Sequence, residues 1–319
     1  MHLFQTLKKQ GGFDLIKKML KTHSCFLSLF ELISLGKSNT SLEIIRLSLN
    51  LKIKKKLYKK YRKDLELFDS ENRMKDLVRQ SSNKVWVCWF QGIEQAPILV
   101  QKCYRSLKEN LINKDVVLIT SENMSDYVKF PDYIMEKWKN GQITHTHMTD
   151  LLRLELLIKY GGTWIDATVF CSSKEEEIPE YFFNSDLFFY QALKPGKDGH
   201  STYMSSWFMS AKTNNIVLMA TRYLCYKYWE QNSSMIDYFI LHYFMSMVLD
   251  YYPDYWKRIT PRDNATPHIL LLMLFDEYDE SVWMSVKSQT PFHKLTYKFN
   301  EENINKKNSY YDRIFNLQE

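Results

Sequence analysis

Thr149-Asp150-Leu151-Leu152-Arg153-Leu154-Glu155-Leu156-Leu157-Ile158-Lys159-Tyr160-Gly161-Gly162-Thr163-Trp164-Ile165-Asp166-Ala167-Thr168 aims polar groups from an apolar helix and an apolar strand at one place. Thr149 is the predicted N-cap, good helix formers follow it, and Asp150 falls in the first turn, where the helix dipole favours an anion. Gly161-Gly162 supplies a left-handed cap and a tight reversal. Thr163-Trp164-Ile165 then has the β-branched and aromatic makeup of a short strand, which puts Asp166 at or near a strand end. Asp150 and Arg153 share one helix face, while Leu151, Leu154 and Ile158 pack inward. A carboxylate and a guanidinium thus stand on a rigid element beside a second carboxylate. The plainer alternative is a helix-surface ion pair next to a strand-end aspartate.

Outward from this stretch, Lys84 to Phe90 predicts a first strand, Gln91-Gly92 a turn, and a helix starts near Pro97. Val116-Val117-Leu118-Ile119-Thr120 predicts a second buried strand. Strand, turn, helix and strand make a βαβ unit, and such parallel sheets bind ligands at the carboxyl ends of their strands, where Gln91 and Gly92 fall. The chain has no Walker motif and no GxGxxG, so a phosphate loop is not part of the reading. Phe188-Phe189-Tyr190 and Ser206-Trp207-Phe208-Met209 predict later strands, and Asn215 to Trp229 a helix.

The order Asp-x-x-Arg, apolar helix, Gly-Gly-x-Trp-x-Asp-x-Thr resembles nucleotide-sugar glycosyltransferases of the A-type fold, in particular the capsular polysaccharide synthesis group. That group is related to retaining mannosyl- and galactosyltransferases and, more distantly, to glucosylating toxins. The likeness runs from Val85 to Tyr297 and includes Val85-Trp86-Val87-Cys88-Trp89-Phe90-Gln91-Gly92, Ala96-Pro97, Asp237-Tyr238-Phe239, Pro267-His268 and Lys294-Leu295-Thr296-Tyr297. It implies an α/β, Rossmann-like nucleotide-diphospho-sugar transferase domain preceded by an N-terminal helical region. It also implies that Trp89, Gln91 and Gly92 face the nucleotide, and that Asp150 and Arg153 contact the donor sugar and diphosphate. Asp166 matches the first aspartate of an Asp-x-Asp motif, which holds ribose and metal. Thr168 stands where the second carboxylate would bind Mn²⁺ or Mg²⁺, and a neutral hydroxyl is a poorer ligand for a hard cation. Late histidines, here His242 and His268, supply a metal or diphosphate contact in such enzymes; a hydrogen-bonded structural role is the alternative for each.

The rest of the chain reads mostly as scaffold. Its 319 residues suffice for a substantial core, divided here into a basic helical region at 1–80 and a catalytic domain at 81–319, with Gly36-Lys37-Ser38-Asn39 a break and Ser70 to Asn83 a polar lead-in. Five scattered cysteines show neither a disulfide framework nor zinc spacing, as expected of a reducing cytoplasm. His145-x-His147 lacks a companion cluster, which favours a loop or acceptor-pocket role over zinc. The start lacks the long apolar core of a secretory signal, the run Cys25 to Ile33 reads as a packed helix, and no apolar run approaches the roughly 18–20 residues of a membrane span.

Lys52, Lys54, Lys55, Lys56, Lys59, Lys60, Arg62 and Lys63 outweigh the whole chain's net charge of +6, so the remainder is close to neutral. Leu51, Ile53, Leu57, Tyr58 and Tyr61 alternate with them, as in an amphipathic helix lying on an anionic membrane; a solvated helix face is the alternative. Nucleic acid is not expected, because no recognition module accompanies the charge. The expected protein is a cytoplasmic glycosyltransferase, peripheral at the inner face of the membrane. It would use a UDP-sugar donor, a hexose or N-acetylhexosamine, and a lipid-linked or polysaccharide acceptor. A sugar-phosphate transferase and a catalytically degenerate glycan-binding scaffold are the rival classes.

Overall fold

A computed structural model describes residues 30–31, 33–36, 38–73, 75, 77–192 and 204–316. Most of the Cys25 to Ile33 run lies outside the described residues.

Strand β1 (Lys84–Cys88) and strand β2 (Asp115–Ile119) are joined by helix α2 (Ile98–Asn110) and pair in parallel, the βαβ unit expected from the sequence. Strand β3 (Gly162–Ile165) pairs in parallel with β1 on the other side. Strands β5 (Leu187–Gln191) and β6 (Met204–Ala211) complete the order β2-β1-β3-β6-β5, both joined antiparallel. The sheet is therefore mixed rather than parallel throughout. A separate two-stranded sheet pairs β4 (Val169–Cys171) with β7 (Phe292–Lys294).

Side chains alternate across β1, so one strand feeds two cores. Trp86 and Cys88 join Trp164, Phe189 and Met209 in one cluster, while Val85 and Val87 join Ile165, Phe188 and Phe208 in the other. Burial on both faces is why these strands read as continuous apolar runs.

Helix α3 (His145–Tyr160) carries the first cluster's layer together with α4 (Ile216–Gln231) and α5 (Ile240–Tyr251). It starts a turn earlier than predicted: Thr144, not Thr149, is the N-cap, its hydroxyl accepting from the His147 N–H at 3.2 Å. Asp150 consequently lies in the second turn, and the two histidines are helical rather than in a loop.

The helix α1 (Asn39–Asn72) begins at the expected break, with the Ser38 side chain accepting from the Ser41 N–H. Its buried stripe Ile53, Leu57, Tyr61, Leu65 and Phe68 belongs to the same cluster as Trp86 and Trp164. The apolar side of the basic segment is thus occupied by the protein itself. Lys55, Lys56, Lys59, Lys60, Arg62 and Lys63 are exposed on the outer side, whereas Lys54 turns back to Asp250 at 2.8 Å. No helix among the described residues is long and apolar enough to cross a membrane.

Candidate functional site

A cleft of about 630 Å³ opens at the carboxyl ends of β1 and β3, lined by Trp89 and Gln91 after β1, by Asp150 and Arg153 from α3, and by Asp166 and Thr168 after β3. This is where parallel sheets place ligands, because the loops that follow the strands converge there. Of the predicted residues, Gly92 and His268 are not in the lining; the Gly92 amide N–H is donated to the Trp89 carbonyl at 3.0 Å and closes the turn.

Arg153 is the centre of the cluster, with a side chain only 4% exposed. Its Nη1 donates to the Ser206 carbonyl at 2.6 Å and lies 3.4 Å from Asp150 Oδ1. Its Nη2 reaches Asp166 Oδ1 at 3.4 Å, and the guanidinium lies over the Trp164 ring, 4.9 Å from the centroid. Its Nε is buried without a partner among the described residues. A helix-surface ion pair is therefore not what the sequence encodes here. The helix is buried nearly all round, and desolvating a guanidinium is tolerable only because two carboxylates, a carbonyl and an indole face share it.

Asp150 is fixed from behind. Trp229 Nε1–H donates to His147 Nε2 at 2.9 Å, so a neutral His147 carries its proton on Nδ1, 3.2 Å from Asp150 Oδ2. This role for His147 was hidden in the sequence, since Trp229 comes from α4.

Asp166 accepts from Trp164 Nε1–H at 2.9 Å through Oδ1 and from Lys294 Nζ at 2.9 Å through Oδ2. Burial pushes its carboxyl up, but Lys294 and Arg153 outweigh that and hold it below the ordinary carboxylate range. Lys294 also donates to Thr168 Oγ1 at 2.6 Å. The sequence signal for Lys294 was its place in the Lys-Leu-Thr-Tyr segment, but nothing local pairs it with Asp166. The β4–β7 register does so, setting Lys294 opposite Val169, and the Leu295 N–H donates to the Thr168 carbonyl at 2.9 Å.

The donor set at this point does not fit a divalent cation. One carboxylate and one hydroxyl face each other, and an ammonium already touches both. Among the described residues no group of three or more His, Cys, Asp or Glu could hold a metal. His242 does line the cleft, but burial pushes its pKa down to about 4 and its Nδ1 has no partner among the described residues. It faces the cleft as a neutral imidazole. His268 Nδ1–H donates to the Asn264 carbonyl at 2.8 Å, the structural alternative for that residue. The four described cysteines are free and buried.

Fold and site together define a mixed α/β protein with a buried acid–cation cluster at the carboxyl ends of its parallel strands. The chain belongs to the capsular polysaccharide synthesis protein family, whose model matches residues 36–314, further at both ends than the legible motif segments. It is 28% identical over 173 residues to the O-glycosyltransferase braB of Annulohypoxylon truncatum, a match covering 47% of this chain and 38% of that protein. It is 22% identical over 179 residues to the glycosyltransferase afumC of Aspergillus fumigatus, covering 53% and 44% respectively. These matches thus span less than half the length of either curated relative. Among solved structures the PaToxG glycosyltransferase overlaps 83% of this chain and 96% of its own, at TM-score 0.37 and 13% identity, a likeness too loose to place any residue.

Proposed function

We propose that this protein is a glycosyltransferase of A-type architecture that moves a hexose or N-acetylhexosamine from a nucleoside diphosphate sugar, UDP-linked, to a growing capsular or other surface polysaccharide, with retention. The observation that carries the reading is the convergence of Asp150 and Arg153 from α3 with Asp166 from the end of β3 on one cleft beside Trp89 and Gln91. Family membership and the glycosyltransferase relatives support it. The main electrostatic demand of such a reaction is the departing diphosphate, and a preorganised, desolvated guanidinium meets it without reorganising. Asp150 and Asp166 are both held by cations, which leaves neither poised as a covalent nucleophile. Retention then follows from attack on the donor's own face: the acceptor oxygen bonds the anomeric carbon as the bond to the diphosphate breaks. The acceptor proton passes to a diphosphate oxygen.

Screening the purified protein against UDP-glucose, UDP-galactose, UDP-N-acetylglucosamine and GDP-mannose tests this. We expect release of nucleoside diphosphate from one donor, increased by a glycan acceptor. Release of nucleoside monophosphate would mark a sugar-phosphate transferase instead, and glycan binding without turnover a scaffold.

We further place the enzyme at the cytoplasmic face of an anionic membrane through the outer side of α1, where Ile44, Leu47, Leu51 and Tyr58 are exposed beside the basic side chains. Each Lys or Arg near such a surface contributes about 1 kcal/mol, so partial engagement of the segment suffices for attachment. Changing Lys55, Lys56, Lys59, Lys60 and Lys63 to Gln is expected to release the protein from anionic vesicles yet spare transfer to a soluble acceptor. Lys54 is left intact because it ties α1 to α5. Vesicle binding that survives the replacement would reduce the basic run to a solvated face.

A further inference from the structure

We propose that Lys294 is the resident cation of the Asp166–Thr168 site and that, with Arg153, it holds the donor's diphosphate without a divalent metal. This rests on the glycosyltransferase reading above. Three features converge on it. The first is position: Nζ lies 2.9 Å from Asp166 Oδ2 and 2.6 Å from Thr168 Oγ1, so it touches both groups that would otherwise hold a metal. A divalent ion at its usual distance of about 2.1 Å from both oxygens would crowd and repel the ammonium.

The second is charge. A pair of carboxylates would present two negative charges and call for a divalent ion, whereas aspartate with threonine presents one, which one ammonium balances. Threonine at 168 is then not a weakened metal ligand but a hydroxyl that accepts from lysine. The third is anchoring. Lys294 is fixed by the β4–β7 pairing on one side and by the Leu295–Thr168 hydrogen bond on the other, and its side chain is 19% exposed within the cleft lining. An ammonium carries three N–H donors, and two are used by Asp166 and Thr168, which leaves one for a phosphate oxygen.

The test is nucleotide binding by calorimetry to the full chain, with UDP, UMP, GDP and ADP, in EDTA and in Mn²⁺. Wild type is expected to bind one nucleoside diphosphate with affinities within about twofold in the two conditions. Lys294→Met, which keeps the length and removes the charge, should lose about tenfold or more for the diphosphate, as expected for one charge-assisted contact, and less for UMP if UDP is the ligand. Lys294→Arg should restore most of the loss, which a purely structural role for the side chain would not predict. Binding by wild type only when Mn²⁺ is present would overturn the proposal. So would a Met variant that binds the diphosphate in EDTA as tightly as wild type; the glycosyltransferase reading survives both outcomes. If wild type binds none of the nucleotides in either condition, that reading fails and the proposal with it.

Discussion

Asp166→Asn is expected to lower sugar transfer by about 10³-fold while shifting the unfolding temperature by only a few degrees. Removing one preorganised charged contact at a transition state commonly costs about 10²–10³ in turnover, and Asp166 organises three neighbours at once. The asparagine oxygen still accepts from Trp164, so the strand end keeps its shape. What is lost is the charge that holds Arg153 and Lys294, each within 3.4 Å of the carboxylate, where the proposed donor diphosphate would bind. The fold should tolerate this because the Asp166 side chain is 28% exposed, where solvent weakens ion pairing. A pH series separates the effects. The carboxyl is held below its ordinary range, so its pairing stabilises the protein above about pH 4, the unfolded value, and that stability is lost as pH falls through the lower folded value. The Asn variant lacks that acid loss. Turnover near wild type, measured as nucleotide release, would remove Asp166 from the reaction.

The elements nearest the site were readable because their signals are local. Gly161-Gly162 ends a helix and starts a strand within a few residues, and this alone places Asp166 at a strand end beside Arg153. The start of α3 was misplaced because His145-Thr146-His147-Met148 is a weak helix former. Burial of His147 and Met148 against the core overrides propensity there. The Lys294–Asp166 pairing and the Trp229–His147–Asp150 hydrogen-bond chain stayed hidden for a different reason: each depends on a pairing between distant segments, and no local pattern records register between β4 and β7. The basic stretch of α1 shows a third limit. Apolar residues at helical spacing look the same whether they pack on protein or on lipid, and here Ile53, Leu57 and Tyr61 pack on α4 and α5.

Gly162→Ala is expected to destabilise the protein by about 2–5 kcal/mol, the sum of a left-handed-backbone cost and an overpacking cost of about 1–3 kcal/mol. Gly162 has φ of +91°, and a Cβ there would lie 2.3 Å from the Lys84 carbonyl oxygen, a backbone atom of β1. Positive φ by itself costs an alanine only about 1–2 kcal/mol. The clash must be relieved by moving β3 away from β1, whose parallel pairing, Val85 with Thr163 and Trp86 with Trp164, aligns the two loops that face the cleft. Gly141→Ala isolates the backbone contribution, since Gly141 has φ of +71° and no atom within 4 Å of its Cβ position. Urea unfolding should therefore give a small loss for Gly141→Ala and a larger one for Gly162→Ala. Any folded Gly162→Ala protein should also turn over poorly, because a shift of β3 carries Asp166 away from Lys294. Equal losses for the two variants would mean that β1 and β3 part without resistance, and that the glycine pair sets only the turn and not the spacing on which the cleft depends.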